Sequence, residues 1–411
     1  MNRFARRCLF YLLYLGLILN LTVFSLPYLP VNTQSIISPE IAEIRGVWLT
    51  NVASGVLFVP WGINRALNQL SRLNFNTIYP VVWNRGYTFY QSAVAKQVIG
   101  YDSQPLLKFM HGGRDILTTL IKLSQAKKLS VIPWFEYGLM TPHNSQLAKS
   151  YPQWLTIGQS GIKSIKETTP EEINNGVNKV AWLNPLHPQV QEFMKALIVE
   201  IVTNYNVDGI QLDDHFAMPV QFGYDAFTVD VYQQEHQGKS PPTDIFNPEW
   251  MRWRANKITD FMVSIHQAVK AIKPNAKISL SPNSQAFAYK YYLQDWESWL
   301  KKGLVDELVL QVYRDDPDSF MAEISTPAVQ FALSQIPVVI GISTGTLRDS
   351  VEIAQIKEQV RMVRDRHFDG ISFFYWESLW GYIAPESPKQ RRLAFSEIFN
   401  PKANRLLQPE K

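Results

Sequence analysis

The segment Val207-Asp208-Gly209-Ile210-Gln211-Leu212-Asp213-Asp214-His215-Phe216 reads as a short apolar strand that ends in two carboxylates, a histidine and an aromatic ring. A carboxylate at the end of a buried strand loses solvation and needs either a partner or a task. Gln211 and Asp213 stand two apart and share one strand face. Asp213 is the first catalytic candidate. Asp214 and Glu136 are the next, and Glu377 has the same character. Two carboxyl groups can divide the cleavage of a glycosidic bond: one protonates the leaving oxygen, and the other attacks the anomeric carbon or activates water. Amide and aromatic side chains suit the hydroxyls and apolar faces of sugars. On that ground Trp83, Gln211, His215, Asn283, Trp376 and Glu377 are candidate substrate contacts. Asp208, at the other end of the strand, reads as a turn or cap residue, and the run Asp315-Asp316-Pro317-Asp318 as a helix N-cap.

No second histidine lies at ligand spacing from His215, because His111, His143 and His187 fall in distant loops. No metal set and no cofactor are therefore expected.

The elements that position these residues alternate along the chain. Strands are expected at Ile44–Thr50, Thr77–Trp83, Ser130–Tyr137, Gly209–Asp213, Lys277–Ser281, Glu307–Tyr313, Val338–Ser343 and Gly370–Tyr375. Helical periodicity fills the gaps, at Ile63–Leu73, Asp115–Lys127, Pro188–Tyr205, Glu249–Ile272, Tyr289–Lys302, Pro317–Leu333, Val351–Arg366 and Pro388–Phe399. Eight strand-helix units predict an α/β fold, a single (β/α)8 TIM barrel over 43–400, whose strand ends share one mouth. The long excursions Gly86–Gly113 and Gly138–Trp182, after strands 2 and 3, leave from that rim and predict a cleft. An open nucleotide-binding sheet is disfavoured, since no glycine-rich phosphate loop follows the first strand.

The net charge of +4 comes mostly from Arg3, Arg6 and Arg7; without them 37 basic residues face 36 acidic ones. So balanced a body argues against nucleic acid as a partner. The three arginines precede an apolar run over 8–26, which predicts a signal peptide or signal anchor over 1–26 and a body exported to the periplasmic or extracellular side of the cytoplasmic membrane. A Pro-rich linker is expected over 27–42 and a polar tail over 401–411. The single cysteine, Cys8, excludes an intrachain disulfide.

Taken in order, several motifs resemble glycosyl hydrolase-like family ten, a set of exported bacterial barrel proteins. They are Glu43–Asn51, Leu73–Trp83, Trp182-Leu183-Asn184-Pro185 followed by Val207–Phe216, Ser281-Pro282-Asn283, and Gln311-Val312-Tyr313. The resemblance spans roughly 43–385. It implies a (β/α)8 barrel and hydrolysis of cell-wall, peptidoglycan-type glycan. It supports Arg45, Asn51, Asp213, Asp214, Gln311 and Tyr313 as site residues, with Asp213 as nucleophile or charge stabiliser and Asp214 or Glu136 as general acid. Relatives hold other residue types at 136 and 377, so the resemblance assigns neither acid a role. Two alternatives stay open: a barrel of the envelope that grips polysaccharide without cutting it, and a metal-dependent polysaccharide deacetylase or hydrolase.

Overall fold

In the computed structural model the described residues are 41–165, 179–346, 349–381 and 384–405. Eight parallel strands ring one axis: β1 (Ile44–Leu49), β2 (Thr77–Pro80), β3, β4 (Gly209–Asp213), β5 (Lys277–Ser281), β6 (Glu307–Gln311), β7 (Val338–Ser343) and β8 (Gly370–Phe374). The third comes as two pieces, Ser130–Val131 beside β2 and Trp134–Phe135 beside β4. Pro133 has no N–H to donate and interrupts it. Its carbonyl still accepts from the Gln211 amide at 2.7 Å, and the Ile132 amide donates to Ile78 at 3.1 Å. Pairing of β8 with β1 completes the closed barrel.

The strands are buried on both faces, as their near-continuous apolar runs require. Outward side chains pack under helices that include Pro60–Arg72, Pro188–Asn204 and Pro248–Ile272. The interior is filled by side chains of very unequal size. A Cβ on Gly46 would lie 2.7 Å from the Tyr79 ring and 2.8 Å from the Ser372 hydroxyl, so β1 must be bare there.

Two long predicted helices are each two short ones. Leu293 adopts a left-handed backbone (φ 57°) and separates Gln285–Tyr292 from Trp296–Lys301. Pro327 starts a second helix, Pro327–Leu333, after Pro317–Ile324, because proline is at home at a helix's first position. Asp316 caps Pro317–Ile324 as expected, accepting from the Ser319 amide at 2.7 Å, whereas Asp208, expected as a turn or cap residue, accepts from the amide of Val131 on the neighbouring strand at 2.7 Å.

Both ends of the barrel unit run past the boundaries expected from sequence. Ile41–Ala42, assigned to the linker, pairs with Ala403–Asn404, assigned to the tail. The Arg405 guanidinium reaches into the barrel floor, where it binds Glu307 and Thr77. The leader 1–26, most of the linker and residues 406–411 lie outside the described residues. Among the described residues, no helix is long and apolar enough to cross a membrane.

Candidate active site

The register of β4 on β5 sets the site. Pairing Gly209 with Lys277 carries Asp213 opposite Ser281. The Ser281 hydroxyl donates to Asp213 Oδ1 at 3.0 Å, and Gln311, ending β6, donates to the same oxygen at 2.8 Å. Asp213 is only 3% exposed. Burial, and then the charge of Asp214, push its carboxyl up to about 7, against a smaller opposing pull from His215.

Asp214 stands higher at the rim, half-buried, and its Oδ2 accepts from the Asn283 side chain at 2.5 Å. His215 Nδ1 lies 3.2 Å from Asp214 Oδ1, 3.6 Å from Asp213 Oδ2 and 3.0 Å from the Glu136 carbonyl. A carbonyl only accepts, so Nδ1 carries a hydrogen. Asp213, Asp214 and His215 each bring one possible ligand atom within 4.8 Å of the others. With Nδ1 protonated toward Glu136, that nitrogen is not a metal donor in this arrangement.

The backbone of the segment is held in place. The Gln294 amide donates to the carbonyls of Asp213 (3.1 Å) and Phe216 (3.2 Å). The long loop after β3 closes on it at Gly138, where a Cβ would meet the His215 carbonyl group at 2.5 Å.

Two further acids ring the mouth. Glu136 receives the Thr50 hydroxyl at 2.9 Å and the Asn84 amide at 2.7 Å. Glu377, just beyond β8, accepts from the Ser54 hydroxyl and from the Val56 amide at 3.2 Å. Its Oε2 is buried and has no hydrogen-bond partner among the described residues. Burial pushes this carboxyl up to about 8. Among the described residues no lysine or arginine bridges Asp213, Asp214 or Glu377. Asn51 sits half-buried on the same side, with its Oδ1 likewise unpartnered.

The structure therefore gathers Asp213, Asp214, His215, Asn283 and Gln311, with Glu136, Glu377 and Asn51 at the same end of the barrel. Tyr313 is half-buried and stacks on Phe374 at 5.5 Å between centroids.

Four expected contacts are displaced. Arg45 lies at the N-terminal end of β1, on the barrel floor, where it binds Glu43 at 2.6 Å and the Phe399 carbonyl at 2.8 Å. It meets neither substrate nor Glu136, because five residues of strand, about 16 Å, separate it from the rim. Gln211 is fully buried one layer below Asp213, with its amide taken by Trp48 (2.8 Å) and Ser279 (3.0 Å). Trp83 is fully buried and bonded to the Gly138 carbonyl at 3.0 Å. Trp376 is buried edge-on against Trp380. Sequence reasoning passed over Ser54, Ser281 and Gln294. Only Ser281 left a signal, since it aligns with Asp213 once the two strands are paired by their inward faces.

Comparison with known proteins agrees with this fold. The family described as Glycosyl hydrolase-like 10 matches residues 43–363. Glycosyl hydrolase YngK of Bacillus subtilis (strain 168) is 22% identical over 341 residues, covering 72% of this chain and 58% of the relative. Glycosyl hydrolase DigH of Escherichia coli (strain K12) is 26% identical over 148 residues, covering 32% of this chain and 31% of that protein. The chain thus spans a little over half of the first relative and about a third of the second. Among solved structures, the PgaB (BpsB) glycoside hydrolase domain from Bordetella bronchiseptica superposes with a TM-score of 0.60 at 13% identity, over 86% of this chain and 99% of that one. The catalytic domain of beta-amylase from Paenibacillus polymyxa gives 0.57 at 13% identity, over 89% and 100%. At such identity these two establish the fold alone.

Proposed function

This chain belongs to the glycosyl hydrolase-like 10 family, and from that premise we propose that it hydrolyses O-glycosidic bonds in a cell-wall, peptidoglycan-type glycan with the Asp213–Asp214 pair as its acid/base centre. The observation that carries the reading is a buried carboxyl at the barrel mouth whose proton affinity is raised to about 7 beside a second, more exposed carboxyl. Environments that separate two neighbouring carboxyl groups in this way divide the roles of acid and base.

Asp213, the more deeply buried of the two, is in this reading the donor to the leaving oxygen. Asp214, oriented by Asn283, is then the carboxylate that meets the developing charge at the anomeric carbon. The family resemblance implied the other division, with Asp213 as nucleophile or charge stabiliser and Asp214 or Glu136 as general acid. An oxygen of each group lies within 4.8 Å of an oxygen of the other, so both can reach one glycosidic bond. Glu136, with Thr50 and Asn84 on its carboxylate, shapes the rim. Glu377 brings a protonated carboxyl to the same mouth and can donate to a sugar hydroxyl.

The basic start and apolar run of residues 1–26 support placement of the barrel outside the cytoplasmic membrane, where such glycan lies.

The test is release of soluble sugars from purified peptide-free glycan strands. Wild type releases product, whereas Asp213→Asn loses about 10²–10⁴-fold in kcat, the usual worth of a positioned proton donor. Full activity in Asp213→Asn would falsify the assignment. A wild-type chain that binds strands and never cuts them would leave the non-catalytic polysaccharide-binding barrel as the correct description.

A further inference from the structure

A chain of aromatic rings leaves the acids in one direction. His215 packs on Trp182 at 5.9 Å between centroids, Trp182 on Tyr292 at 6.2 Å, Tyr292 on Phe287 at 5.8 Å, Phe287 on Tyr291 at 5.1 Å and Tyr291 on Phe246 at 6.3 Å. Its inner member, Trp182, is buried, whereas the outer three are 43%, 40% and 40% exposed. Large apolar side chains scattered singly on a surface need no explanation, but a contiguous row of them does.

The row is built in place. Helix Gln285–Tyr292 starts two residues after Asn283, the residue that orients Asp214. Backbone bonds from Met218 to the Tyr292 carbonyl (2.9 Å) and from Val220 to the Tyr291 carbonyl (2.8 Å) clamp it to the segment that follows the acids. The Arg254 guanidinium donates to the carbonyls of Phe222 (2.6 Å) and Ile245 (2.9 Å), which steadies the backbone next to Phe246. Rings presented on a fixed backbone bind without a large ordering cost.

We propose that Tyr292, Phe287, Tyr291 and Phe246 form an extended sugar-binding track on the β4–β5 side of the mouth, and that the substrate is therefore a polymeric glycan lying along it. The occupant follows from continuity: the row starts at the proposed catalytic residues and leads outward without a gap. A sugar ring offers an apolar face of the size an aromatic ring covers, and Lys290 lies beside the row with its Nζ 5.2 Å from the Tyr291 ring centroid and 6.0 Å from that of Phe246. A short oligosaccharide would end before the exposed rings. This inference rests on the glycosidase reading for the identity of the ligand.

The test separates the two. In the Asp213→Asn background, binding to purified peptide-free glycan strands is measured for the chain with its rings intact, for Phe287→Ala/Tyr291→Ala and for Phe246→Ala. All three positions are exposed, and melting curves verify folding. The double variant is expected to lose about tenfold or more in affinity, since one tenfold step is about 1.4 kcal/mol and buried aromatic anchors exceed it. Phe246→Ala loses less, and Phe287→Trp/Tyr291→Trp restores binding. With an active Asp213, the same double variant slows release from strands while a short oligosaccharide is cut at the wild-type rate. Unchanged affinity in both alanine variants overturns the track while leaving hydrolysis intact. Ring-dependent binding by a chain that releases no product keeps the track and removes the hydrolase. A shift in sedimentation with unchanged glycan affinity makes the rings a contact between copies, and the proposal fails.

Discussion

The two ends of the barrel use acids in opposite ways. On the floor, Glu43 is buried, yet Arg364 at 2.7 Å and Arg45 at 2.6 Å hold its carboxyl below the usual range against the penalty of burial. Glu307, fully buried at the start of β6, is bound by Arg405 and by the Tyr79 hydroxyl at 3.0 Å. At the mouth, Asp213 and Glu377 are as deeply buried but face hydroxyls and amides, with no arginine, and their carboxyl groups are pushed up to about 7 and about 8. An acid given a guanidinium stays ionised and serves as structure. An acid denied one holds a proton and can hand it on.

The sharpest way to test this contrast is to change one charged residue at each end. Asp214→Asn should lower kcat on glycan strands by about 10²–10⁴-fold, with a change in stability of about 0.5 kcal/mol or less, as for a half-exposed surface site. Steady-state kinetics and denaturant melts on the same sample check both.

Removal of the floor's cation should do the reverse. Arg405→Ala removes the cation from buried Glu307, leaves it only the Tyr79 and Ser279 hydroxyls, and should cost about 3–5 kcal/mol of stability. Activity per folded molecule should persist. If the variant melts like wild type, the floor pairing carries no structural weight and the contrast collapses.

Glu377→Gln tests the mouth more finely. The folded group titrates near 8, above its ordinary value of 4.5. Its contribution to stability is complete below about pH 4.5 and is lost as pH rises through 8. Asp213 behaves alike up to about 7. The wild-type melting temperature should therefore fall between pH 5 and pH 9, and Glu377→Gln should flatten the part above pH 7. An identical slope in both proteins would mean that Glu377 is ionised in the fold.

The smallest effect is expected at Asp316, an exposed acid just past β6 on the mouth side. It caps a helix, so Asp316→Ala should lower the melting temperature slightly and spare activity. A loss of catalysis there would mean that mere placement at the mouth, rather than burial without a cation, makes an acid functional.

The barrel was legible because the signals for its strands are local. Apolar runs bounded by turn residues mark β4, β5 and β7 to the residue, whereas β3, expected as one strand over Ser130–Tyr137, breaks at Pro133. Asp213, Asp214, His215, Asn283 and Gln311 converge because residues at corresponding strand ends must share a mouth once the barrel closes. Arg45 was misplaced although its position in β1 already put it at the opposite end. Trp83 and Trp376 look alike in sequence to any rim tryptophan, and only packing shows that their faces are covered.

Sequence alone therefore determined the eight-strand barrel and the carboxylates that gather at one of its ends. Tertiary structure decided which of those carboxylates keeps a proton. That choice depends on desolvation and on partners brought from far along the chain: Ser54 to Glu377, Arg364 to Glu43, Arg405 to Glu307. The affinity of a carboxyl group for its proton is a property of the space around it, and the fold fills that space with residues far apart in the chain as well as adjacent ones.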